Sequence, residues 1–172
     1  MNASKFAAAL LAFALFGAGC APTHHTSMTL SSSAFANGEM IPSEYTCDGA
    51  DRVPPLLIEG APAGTASFAI IMHDPDSPSG NWDHWIAYDI PADTTSIDAE
   101  VGVQGMNSWP RTGYGGPCPG TGTHRYVFDV YALDTKLDLA PGAVRSFVEQ
   151  KMAGHVLDQA TLIGKYLKVE NR

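Results

Sequence analysis

A mostly-β domain with one late helix is the fold class this chain predicts. Short runs rich in β-branched and aromatic residues recur between residues 28 and 134. Clusters of Gly, Pro, Asn and Asp separate them. Only one segment, 141–154, places apolar residues at convincing helical spacing.

The elements begin outside the domain. Residues 1–20 read MNASKFAAALLAFALFGAGC. Lys5 precedes an apolar run from Phe6 to Phe16, and small residues follow, which is the three-part pattern of an export signal. The run is too short to span a bilayer comfortably as a permanent helix. Gly17-Ala18-Gly19-Cys20 resembles a bacterial lipobox, with Gly17 where that pattern prefers Leu. The expectation is a lipoprotein-type signal peptide over 1–19, cleaved before Cys20, with palmitate-type acylation of Cys20. Several acyl chains on one Cys anchor stably where one alone is marginal. Ordinary cleavage just past Cys20, without lipid, is the alternative. Ala21 follows the Cys, and the absence of Asp there favours an outer-membrane lipoprotein facing the periplasm. A chain without lipid would be soluble in the periplasm. Residues 20–27 read as a polar tether, and 28–172 as the domain.

Within the domain, MTLSSSAF (28–35) has strand character and leads into a turn-rich stretch. LLIEG (56–60) is a short strand ending at Gly60. SFAIIMHD (67–74) is almost continuously apolar, which suits a strand buried on both faces. HWIAYDI (84–90) is similar and stops at Pro91. RYVFDVYALD (125–134) is the strongest strand signal. Pro141 suits a first helical position and Gly154 a helix stop. Between them Ala143, Val144, Phe147, Val148 and Met152 form an apolar stripe. The β-branched content after His155 predicts a final strand.

Residues 101–124 stand apart. Ten of these 24 residues are Gly or Pro, and loops this long in compact domains are usually functional or disordered. Trp109, Tyr114 and Cys118 argue for order and function, and Gly115 and Gly116 would let a ligand approach the backbone.

Charge excludes one class of partner. Loss of Lys5 with the signal leaves 9 basic against 18 acidic side chains, a net charge of −9. Nucleic acid needs a basic face, so it is not an expected partner. Any anion must be held locally, against the overall field. Cys47 and Cys118 remain, neither in a CxxC. An exported compartment permits a disulfide between them; two buried thiols are the alternative.

The chemistry concentrates in HDPDSPSGNWDHW (73–85) and at His124. Asp74 ends one predicted strand, His84 starts the next, and His124 opens a third. Three strand ends would converge on one pocket. A carboxylate at the end of a buried strand is costly unless paired. Asp76 has a bland alternative as a turn residue. His73, Asp74, Asp76, His84 and His124 offer enough ligand atoms for a metal, but no HxH or HExxH spacing fixes two on one element. No GxSxG is present, and Cys118 with His124 makes a poor nucleophile pair if the Cys is bridged. Polar recognition of a small anion is what remains.

Four motifs then carry a resemblance. Asp74-Pro75-Asp76-Ser77-Pro78, Trp82-Asp83-His84-Trp85, Gly115-Gly116-Pro117-Cys118-Pro119 and Gly122-Thr123-His124-Arg125-Tyr126 together resemble the phosphatidylethanolamine-binding protein family. The bacterial, Raf kinase inhibitor-like branch is the nearer likeness, through SEYTCDGAD (43–51), PPLLIEGAPAGTASFAI (54–70) and GHVLDQATLIGKY near the C-terminus. The likeness runs from about Met28 to Tyr166.

It implies a large antiparallel sheet packed with a smaller one, plus the helix in the C-terminal region. It implies a pocket for a small anion, a phosphate or a phospholipid headgroup, formed by Asp74, Asp76, Pro78, His84, Gly116, Pro117, His124 and Tyr126. Arg125 would pair with a motif carboxylate. Asp74 would orient a His and favour its charged form when an anion is bound. No cofactor, metal or catalytic residue is implied. The expectation is a lipid-anchored extracytoplasmic binding protein, not an enzyme, with a protein partner that the chain does not name. A metal-dependent or His/Asp-based hydrolase using the same pocket is the alternative. His73 falls outside the shared pattern. Asp83 stands where eukaryotic members often carry a second His, and would change headgroup preference. Pro119-Gly120 replaces a Pro pair and would loosen the loop.

Overall fold

The computed structural model describes residues 27–99 and 101–168. The signal peptide 1–19, Cys20 and all of the tether but Ser27 therefore lie outside the described residues. Among those described, no helix is long and apolar enough to cross a membrane.

Among the described residues the strands are β1 (Thr29–Ser32), β2 (Leu56–Glu59), β3 (Ser67–Asp74), β4 (Trp82–Pro91), β5 (Ser96–Ile97), β6 (Val103–Gln104), β7 (Thr123–Leu133) and β8 (Val156–Leu167), with one α-helix, α1 (Arg145–Met152), and a single 3-10 turn at Ser43–Tyr45. They make a five-stranded sheet ordered β6-β4-β3-β7-β8 and a three-stranded sheet ordered β1-β2-β5. Every strand pair is antiparallel. The expected large and small sheets are both present.

The apolar run of β3 has a simple cause. Phe68, Ile70 and Met72 face a core shared with Leu30, Leu56, Ile58 and Ile97 of the small sheet. Ala69 and Ile71 face a second core closed by Val148 and Met152 of α1. With β4 and β7 on either side, β3 meets apolar partners on both faces and needs no polar alternation.

The helix is shorter than its sequence pattern. Gly142 takes φ +86°, so the segment after Pro141 turns before it coils, and helix begins at Arg145. Pro141 is not a first helical residue. Val148 and Met152 are buried, while Val144 and Phe147 are 50% and 51% exposed, so the apolar stripe narrows to one edge. Gly154, at φ +85°, ends the helix as expected. The two-residue strands β5 and β6 carry too little pattern to be seen in sequence.

Candidate anion-binding site

Asp74 is the last residue of β3 and accepts from two directions. Its Oδ1 accepts the backbone N–H of Asp76 at 2.8 Å, closing the turn after the strand. Its Oδ2 accepts Nδ1–H of His124, at the start of β7, at 2.7 Å. The two residues are 4% and 8% exposed, and the paired donors offset the cost of burying the carboxylate.

His84 reaches the same cleft by a bulge. Met72 pairs with Trp85, but the next residue, His73, pairs with Asp83, so His84 is the extra residue of β4. An uninterrupted strand would turn His84 toward the face of Ile86 and Tyr88, which packs beneath α1. The bulge re-aims it. Gly115 then holds it twice: His84 Nδ1 donates to the Gly115 carbonyl at 2.7 Å, and the His84 carbonyl accepts the Gly115 N–H at 3.0 Å. The rings of Trp109 and Tyr126 meet the imidazole edge-on at 4.9 and 5.1 Å. Burial pushes the His84 pKa below its ordinary value.

The cleft between these groups has a volume of about 210 Å³. Asp74, Pro78, His84 and His124 line it, as do Trp82 and Trp109. The other four expected residues sit behind or beside it. Asp76 accepts from the Arg125 backbone N–H, Nε and Nη2 at 2.9, 2.9 and 2.7 Å, and this pairing pulls its carboxyl down to about 2. Gly116 donates its N–H to Asp51 Oδ1 at 2.7 Å, so that group is not offered to a ligand. A Cβ on Gly115 would meet the Trp109 ring, and one on Gly116 would meet Asp51 and the Tyr45 backbone. The close approach these glycines permit is made by the protein itself. The Pro117 carbonyl accepts the Cys47 N–H at 3.1 Å. Tyr126 is fully buried beneath His84, its phenol pKa raised by burial.

Two departures from the family pattern resolve on the opposite face. Asp83 does not face the cleft; it pairs with Arg145 of α1 at 3.1 Å. His73, opposite Asp83, lies 3.8 Å from Asp129 with no hydrogen-bond partner at Nδ1. Strand alternation sends His73 and Asp74 to opposite sides of the sheet.

Cys47 and Cys118 are joined, with an S–S distance of 2.11 Å. The bridge pins the Gly/Pro loop beside the cleft, and Cys118 is part of the lining. Sequence reasoning missed Trp82 and Trp109 as lining residues. Their signal was present: one sits inside the His/Asp segment and the other in the Gly/Pro loop. Among the described residues, no group of three or more His, Cys, Asp or Glu is placed to share a metal ion.

Comparison with known proteins agrees with this architecture. Residues 31–167 match the family described as phosphatidylethanolamine-binding protein. A UPF0098 protein of Methanothermobacter thermautotrophicus is 47% identical over 148 residues, covering 81% of this chain and 98% of that protein. One from Aquifex aeolicus is 48% identical over 165 residues, covering 90% and 94%. Among solved structures, a phosphatidylethanolamine-binding protein homolog from Chlamydia trachomatis superposes with a TM-score of 0.81 at 36% identity, covering 83% of this chain and 99% of that one. Escherichia coli YbcL does so at 0.76 and 28%, covering 84% and 100%.

Proposed function

The chain belongs to the phosphatidylethanolamine-binding protein family, and from that premise we propose that it is an extracytoplasmic binding protein, not an enzyme, whose cleft holds a phosphate-type group. Family membership supports phospholipid or anion binding in general. One observation carries the assignment to this cleft. His84 and His124 flank it, and each has its Nδ1 fixed by an acceptor of the protein, leaving Nε2 for a ligand. Asp74 is the positioning residue for His124, as the Gly115 carbonyl is for His84. Trp82 and Trp109 close the sides with apolar surface that sheds water and strengthens each polar contact.

Calorimetry with phosphorylethanolamine tests this. His84→Ala and His124→Ala should each weaken binding about thirtyfold, from the loss of about 2 kcal/mol of charge-assisted hydrogen bonding. Thermal melts should show both variants folded. Unchanged affinity in both would remove the cleft from consideration.

The location is part of the same proposal. The signal-like segment ending at Cys20 and the Cys47–Cys118 bridge both support an oxidising, exported compartment. Acylated Cys20 would hold the domain on a short tether at the outer membrane, facing the periplasm. A protein partner would read cleft occupancy at the rim, where Trp109 is 36% exposed. Mass spectrometry of the protein from its own membrane checks the anchor: an unmodified N-terminus would sink the lipid, not the cleft.

A further inference from the structure

The chain enters the domain at one end of the large sheet, and the cleft opens at the other. Met28 is buried, and its N–H donates to Asp158 Oδ2 at 2.7 Å. Ser27 packs on Gly60, where a Cβ would lie 3.2 Å from the Ser27 carbonyl oxygen. The chain is therefore clamped from Ser27 onward. Asp158 of β8 pairs with Ala132 of β7, and Tyr166 of β8 pairs with His124 at the cleft. Eight residue steps of strand separate these two levels, which is about 26 Å. The rim of the cleft lies further out, because Ser77, Pro78 and Ser79 of its lining belong to the turn beyond the end of β3. Val156 and Leu157, 44% and 41% exposed, sit at the entry end, next to Asp158.

Cys20 lies seven residue steps before Ser27. Whatever its conformation, that length of backbone spans at most about 25 Å. Turning the cleft onto the anchoring membrane puts the entry end uppermost. The tether then has to descend the flank of the domain, a route longer than the straight distance of about 26 Å along the strands. It is too short. We propose that, with Cys20 acylated, the cleft faces away from the membrane that holds the anchor and takes its phosphate-type ligand from the opposite side, in solution or on a facing surface. The inference rests on the acylation and anion-cleft readings above, and it adds the direction from which the ligand arrives. The consequence is functional. A short tether that could reach would hold neighbouring headgroups at a high effective concentration and keep the cleft filled. Entry at the far end excludes them, so the cleft stays open to ligand that comes from elsewhere.

The test places the full acylated chain in vesicles of digalactosyl diacylglycerol, a lipid without phosphate. Trp82 and Trp109 line the cleft and Trp85 follows His84, so all three tryptophans of the chain report on the cleft end. A spin-labelled lipid headgroup in the same vesicles should leave their emission unchanged; quenching overturns the proposal. Titration with phosphorylethanolamine should give the same affinity whether or not those vesicles also carry phosphatidylethanolamine. Weaker apparent binding with the lipid in the same vesicle also overturns it. Separate phosphatidylethanolamine vesicles, added from outside, distinguish the sources. Competition by these alone places the ligand on a facing membrane, and no competition places it in solution, both as proposed. Where they do compete, about twenty Gly and Ser residues inserted after Thr26 should let the same-vesicle lipid compete as well. Continued exclusion would overturn tether length as the cause. Failure of phosphorylethanolamine to bind sinks the anion cleft but not the orientation, which the fluorescence reads without ligand. An unmodified Cys20 in mass spectra removes the anchor and the proposal with it.

Discussion

Two faces of the same three strands carry the same residue types to different ends. On the inner face, Asp74, His84 and His124 surround a cleft, and each imidazole has a short bond to an acceptor at 2.7 Å. On the outer face, His73, Asp83 and Asp129 lie under α1, and the His73–Asp129 approach is 3.8 Å with Nδ1 unpartnered. Asp129 spends its Oδ1 instead on Thr161 and Gln159. A His/Asp cluster is thus no site in itself. What separates the two is a fixed tautomer beside open space. Where a helix covers the cluster and no acceptor orients the ring, the imidazole is packing material with a polar cost.

The largest break in this contrast should come from the bridge. Replacing Cys47 and Cys118 by Ser opens a loop with a sequence separation of 71 residues, worth about 4 kcal/mol by chain-entropy reasoning. Denaturant titration should show that loss, together with weaker phosphate binding, because the bridge lies on the cleft side. Binding that survives at full strength in the folded variant would mean the loop needs no pin.

Asp83→Ala comes next. It strips Arg145 of a mostly buried partner but leaves Glu149 at 2.6 Å, so a loss of about 1–2 kcal/mol is expected. Phosphate affinity should not move, since the side chain faces α1. A changed affinity would return Asp83 to the site.

His73→Leu should do the reverse and stabilise by about 1 kcal/mol at pH 5, and by less at pH 8. Burial depresses the His73 pKa, so the folded state binds fewer protons than the unfolded one below pH 6.5 or so. That stability is present above the ordinary imidazole value and lost as pH falls; the Leu variant removes the loss. Melting temperatures at the two pH values read it directly. An unfolded or weakened variant would mean that His73 has a partner the geometry does not reveal.

The smallest effect belongs to Asp76→Asn. The Asp76 carboxyl is held at about 2, so its contribution is present above the ordinary carboxylate range and lost as pH falls through about 2. Arg125 is 54% exposed, so solvent screening leaves the pair with little net effect on stability. Acid titration of stability should flatten slightly between pH 4 and 2, and nowhere else.

Much of this was legible in the residues. β3 matched its predicted span because a run buried on both faces announces itself by composition. β-branched and aromatic content announced β7, which runs Thr123–Leu133 where 125–134 was expected, and the existence of the final strand β8 after His155. The convergence of Asp74, His84 and His124 followed from their places at strand ends. The helix start did not follow, because Gly142 adopts a positive φ that apolar spacing cannot register. Gly116 and Tyr126 were expected at the ligand; hydrogen bonding to Asp51 and burial under His84 place them one layer back.

By itself, then, the chain determined the mostly-β class, the strand ends and the residue types gathered there, because these depend on local pattern and period. Only the tertiary structure decided which face each residue serves. A single bulged residue turns His84 from the helix side to the cleft and sends its neighbour Asp83 the other way, to Arg145. That choice depends on pairing between strands and on a carbonyl at Gly115, 31 residues away, and no local pattern encodes a contact over that distance.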